Sequence, residues 1–209
     1  VAVDVKDDDS AWQFDYARAA HRLGDRVEPY DQRMALFLAA DVAYTASILL
    51  EPRAATHFHR GMLRRAHRQI GDSLYLYSEV ASDFEQVLTT DPEHGEARFT
   101  LGLTYVDMEQ DSRARQTFRR LLTIHAAYPN AYNELGGIAE RGQEYDQAIE
   151  DYAAELAGRP DSARAHYRLG HLYQESRGDP GTASEPPIPG REPSPGSPLP
   201  NPNPTKRPV

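Results

Sequence analysis

The sequence predicts an all-α chain of stacked helix pairs, and three observations carry that expectation. First, a Leu-Gly pair recurs at a fixed period of 34: Leu101-Gly102, Leu135-Gly136 and Leu169-Gly170. A period of this length marks a repeat architecture. Second, the segments holding these glycines otherwise read as helices, although a glycine inside a helix costs about 1 kcal/mol relative to alanine. Close packing against a neighbouring helix would offset that cost. Third, every proline of the body except Pro29 falls at a boundary between segments, at Pro52, Pro92, Pro129 and Pro160.

Other positions keep the same period. Tyr105, Ala139 and Tyr173 each stand three residues after the glycine, while Ala114 pairs with Ala148 and Phe118 with Tyr152. The chain resembles the tetratricopeptide repeat family, whose helix–turn–helix unit places Leu-Gly and an aromatic on its first helix. Its second helix carries an alanine, an aromatic and a closing proline. The repeat at 129–162 matches at Tyr132, Leu135, Gly136, Ala148, Tyr152 and Pro160, and departs at Ala139 and Glu155. The repeat at 95–128 matches at Leu101, Gly102, Tyr105, Ala114 and Phe118, and lacks the closing proline at Ala126. The resemblance implies a right-handed superhelical solenoid.

Taken in order, residues 1–9 read as a disordered acidic N-terminus and 10–94 as degenerate helical repeats. Residues 95–176 hold two clear repeats and a C-terminal capping helix, and 177–209 form a disordered Pro-rich tail. Ala40 and Tyr44, then Phe84 and Val87, occupy second-helix positions in the degenerate part. Residues 35–50 are apolar nearly all round, which predicts burial between neighbours. The last helix, expected at 162–175, keeps the first-helix pattern with polar residues on its other faces, as a terminal repeat requires.

Composition narrows the function. Net charge is −9 over 209 residues, and an acidic body argues against general binding to phosphate backbones. Without cysteine there is no disulfide or thiolate chemistry. No apolar run reaches the roughly 18 residues needed to span a bilayer, and the N-terminus lacks the apolar region of a signal peptide. The compartment is not fixed by the sequence: a cytoplasmic protein is favoured, a periplasmic one follows if a leader was removed. No catalytic motif, metal-ligand spacing or cofactor loop stands out. His57, His59 and His67 share one helix without the i,i+4 spacing a metal needs.

Two surfaces remain as candidates. The family binds peptides along the concave row of first helices. That resemblance points to Phe99, Leu103 and Val106, then Asn133, Gly137 and Arg141, and finally Arg164, Tyr167 and His171 as the partner-binding groove. Gly137, beside Gly136, would leave room for a ligand backbone. Separately, Arg60, Arg64 and Arg68 recur at i, i+4 and i+8, forming one basic stripe. It is either neutralised by acids such as Asp83 and Glu85 or free to dock an acidic segment. One subclass of the family grips a chaperone's C-terminal carboxylate with a Lys/Asn/Lys/Arg clamp. Arg164 and Arg168 match its last pair, but Phe99, Leu103 and Glu134 stand at its other positions. The Pro195–Pro198 stretch lacks the flanking base of an SH3 ligand and reads as a spacer. The expected function is therefore a non-catalytic scaffold binding a protein or peptide. An alternative reading makes it the regulatory or substrate-recruiting part of a larger enzyme, signalling or secretion assembly.

Overall fold

The computed structural model describes residues 9–27, 30–69 and 76–178, without the side chains of 68–69 and 175–178. The Pro-rich tail beyond Gly178 and the acidic residues 1–8 lie outside the described residues. Nine helices and no strand occur among the described residues: α1 (Ser10–Gly24), α2 (Tyr30–Leu50), α3 (Ala54–Gln69), α4 (Tyr77–Thr90), α5 (Gly95–Asp107), α6 (Asp111–Ile124), α7 (Ala131–Arg141), α8 (Tyr145–Gly158) and α9 (Ala163–Gly178). Each helix packs on the next, and α1 with α3 and α5 with α7 also touch, so first helices line up beside one another.

The repeat is written in the backbone as well as in the side chains. Glu109 and Gln143, one period apart, both take the left-handed conformation, with φ of 57° and 58°. The turns they sit in close identically: Gln110 N donates to Tyr105 O and Glu144 N to Ala139 O, each at 2.9 Å. This six-to-one bond ends a helix by satisfying a free carbonyl. The second helices stop alike too, with His125 N donating to Leu121 O at 2.8 Å and Arg159 N to Glu155 O at 2.7 Å.

The glycines mark where helix pairs close. A Cβ on Gly102 would stand 2.6 Å from the Phe118 ring, and one on Gly136 would stand 2.8 Å from the Tyr152 ring. Both rings are fully buried. Gly61 faces Phe84 the same way, at 3.1 Å. The sequence reading missed Gly61, because its aromatic lies 23 residues on instead of 16. Gly170, after which no further helix follows among the described residues, meets nothing within 4 Å. The α9 helix also continues to Gly178, beyond the expected end at 175.

One expectation fails at α2. Its Phe37, Ala40, Ala43, Tyr44 and Ser47 are buried, but Val42 is 68% and Leu49 82% exposed. The helix has neighbours on one side only, α1 and α3, and nothing among the described residues covers the other. At 21 residues α2 is also long and apolar enough, by length and composition, to cross a membrane. The sequence showed no apolar run of that length, and Asp41 within the helix pairs its carboxylate with Arg64 at 2.7 Å. Ser47 Oγ donates to Ser10 O and Ser10 Oγ to Glu51, which ties the start of α1 to the end of α2.

Candidate partner-binding surface

The basic stripe on α3 is not an open surface. Arg60 donates to Asp83 at 2.6 Å and to Thr45 at 3.1 Å, while Arg64 bridges Asp41 and Asp83. His57 Nδ1 stands 3.1 Å from the same Asp83 carboxylate, which is only 2% exposed. Of the stripe, the Arg68 side chain lies outside the described residues. Burial acts to raise the Asp83 pKa, but the hydrogen bonds from His57 and Arg60 and the charges of Arg60 and Arg64 prevail and hold it below 3.8. The stripe therefore joins α2, α3 and α4 internally. Glu85, the other expected partner, instead serves Arg113 and the Tyr105 hydroxyl.

The remaining histidines of α3 are held by rings. His59 stacks on Tyr44 at 6.2 Å, and buried His67 stands edge-on to Phe37 at 4.1 Å.

The groove candidates separate into three groups. Phe99, Leu103 and Val106 on α5 are half-buried against the central core, with the Phe99 ring 5.6 Å from Phe118 and 5.2 Å from Tyr128. Arg141 and Arg164 are ion-paired, to Asp111 at 2.6 Å and to Glu134 at 2.5 Å. Tyr167 is 69% exposed, with His171 6.5 Å away ring to ring.

Asn133 and Gly137, one turn apart on α7, form the third group. Asn133 is fully buried and donates to Ser162 Oγ at 3.2 Å, yet its Oδ1 finds no partner. A Cβ on Gly137 would meet only Arg164 Nη2 at 3.7 Å and the Tyr152 hydroxyl at 3.8 Å, both ordinary contacts. That hydroxyl is likewise buried and unpartnered, and burial pushes its pKa up to about 12. Gly137 therefore leaves a small gap, room for one methyl group, where Gly136 leaves none. Gly137→Ala is expected to raise stability by about 0.5–1 kcal/mol, since the helix gains propensity without a clash. Thermal melting checks the sign.

Glu155, which departs from the family pattern, has a structural task. Its buried carboxylate accepts from Asn130 N and from Arg159, fixing the loop before α7. Asn130 needs that support, because its φ is 65°. Ala139, the other departure, is fully buried beside Ala165 and Leu169, so a larger ring there would force α9 away.

A tetratricopeptide repeat family model matches residues 100–163 and again 133–179. Residues 100–179 therefore belong to tetratricopeptide repeats. Among solved structures, a MamA protein shares 22% identity at a TM-score of 0.66, covering 79% of this chain and 81% of its own. YrrB, described as a tetratricopeptide repeat protein with an unusual peptide-binding site, shares 18% at 0.65, covering 87% and 85%. The first tetratricopeptide repeat domain of Spaghetti (RPAP3), bound to the HSP90 peptide SRMEEVD, shares 18% at 0.51, covering 58% and 91%. At these identities the likeness is one of fold. No curated protein matches the sequence. Within this tetratricopeptide repeat frame the two clamp-like arginines are both engaged, Arg164 with Glu134 and Arg168 with Glu140.

Proposed function

We propose that this chain is a non-catalytic interaction scaffold whose row of first helices holds a partner peptide. The observation that carries the reading is the gap at Gly137 on α7, with the exposed Tyr167 ring on α9 beside Arg164 at its rim. A peptide backbone laid across α7 would come closest to the helix at Gly137, where no side chain stands between them. Arg164 forms the rim of the gap, with Nη2 3.7 Å from where a Gly137 Cβ would lie and Nη1 held by Glu134. Tyr167 offers an exposed ring on the neighbouring helix for an apolar side chain of the ligand.

The helices supporting this surface are already packed, so binding requires little ordering on the protein's side. That the YrrB and RPAP3 structures of the same fold concern peptide binding supports the reading. Capture from a lysate followed by mass spectrometry tests it, comparing wild type with Gly137→Leu/Tyr167→Ala. Proteins held by wild type and lost by a variant of unchanged melting temperature are expected. Equal capture by both would place binding elsewhere.

A further inference from the structure

The outer side of α1 carries a stripe that the other described residues leave exposed. Trp12, Tyr16, Ala19 and Leu23 recur at spacings of four, three and four, which sets them on one helix face. The stripe is 39%, 46% and 52% exposed at Trp12, Tyr16 and Leu23. Phe14, which reaches Tyr44 of α2 and His59 of α3, points nearly half a turn away. The stripe thus lies opposite α3, on the side where a preceding helix pair would stack. Trp12 and Tyr16 stack at 5.5 Å with planes 9° apart, so the two rings present one flat apolar surface. Exposed apolar patches of this kind mark contact sites.

We propose that this stripe pairs with its own copy, α1 against α1, in a closed two-fold dimer. The pattern is self-complementary, as an isologous contact requires. When two α1 helices run antiparallel about the midpoint between residues 17 and 18, Trp12 comes level with Leu23 of the second copy. Tyr16 comes level with Ala19, so the large side chain meets the small one. The same edge of the stripe carries Asp15 and Arg22, neither of which has an ion-pair partner among the described residues. In antiparallel pairing like edges face each other, and Asp15 stands about 3 Å along the axis from Arg22 of the other copy. Two opposite-charge contacts therefore form, related by the symmetry axis.

Sedimentation velocity on the full chain across the micromolar range tests the dimer, with fluorescence as a second readout because Trp12 is the sole tryptophan. A monomer–dimer equilibrium that stops at two is expected, with Trp12 emission moving to shorter wavelength as dimer forms. Asp15→Arg and Arg22→Asp should each weaken dimerisation about tenfold or more by setting like charges together. Combining them in one chain, D15R/R22D, should restore it, which only self-pairing of this edge allows. A monomer at every concentration would overturn the proposal, as would open-ended growth. So would a dimer indifferent to Asp15→Arg, or a double variant no better than the singles.

Discussion

Asp83→Ala is expected to be the most damaging single substitution outside the hydrophobic core, with a loss of about 3–5 kcal/mol. The carboxylate is 2% exposed and accepts from Arg60, Arg64 and His57 at once. Removing it leaves the Arg60 guanidinium, itself only 14% exposed, with Thr45 alone. The desolvation cost of that cation is then uncompensated. Arg64 keeps Asp41, so the damage centres on the α3–α4 contact. The pH dependence follows from the direction of the shift. Because the folded pKa of Asp83 lies below its unfolded value, the stabilisation is fully present above about pH 4. It is lost as pH falls through the folded pKa. Urea melts at pH 7 and pH 3 check both statements: the gap between wild type and variant should narrow in acid.

Gly136→Leu should cost about 1–3 kcal/mol or more, the usual penalty for overpacking a closed interior. The first added carbon already falls 2.8 Å from the Tyr152 ring, which is fully buried. The helix pair α7–α8 must open, and with it the seat of α9 on Ala139, Tyr152 and Ala148. In a stacked array each unit depends on its neighbours, so the C-terminal end should unfold ahead of the rest. Hydrogen exchange would show amides of α7–α9 losing protection before those of α3–α6. An unchanged melt would mean that the proposed register of glycine against aromatic is wrong.

Much of the fold was legible because the repeat constrains several positions at once. The period of 34 put glycine, alanine and aromatic on the two helices of one pair, and the structure closes Gly102 on Phe118 and Gly136 on Tyr152, where an added Cβ would stand 2.6 and 2.8 Å from the rings. What the sequence could not show is which partner comes from a distant helix. The stripe of Arg60 and Arg64 is visible as a helical spacing, but Asp41 and Asp83 lie about 20 residues away on either side, on other helices. The exposed face of α2 was hidden for a related reason. An apolar helix reads the same whether both of its flanks are covered or only one. Glu155 looked like a defect of the pattern, and only the left-handed backbone of Asn130 explains its place. The contrast between Gly136 and Gly137 was posed by the sequence, while its answer needed the positions of Tyr152 and Arg164.

The proposed scaffold role depends on the gap at Gly137 seating a peptide backbone. The most direct test is calorimetric titration of a peptide, selected on the wild-type protein from a displayed library, into wild type and Gly137→Leu. At least about tenfold weaker binding to the variant, with its melting temperature maintained, is the result predicted. Equal affinity for both proteins would contradict the account.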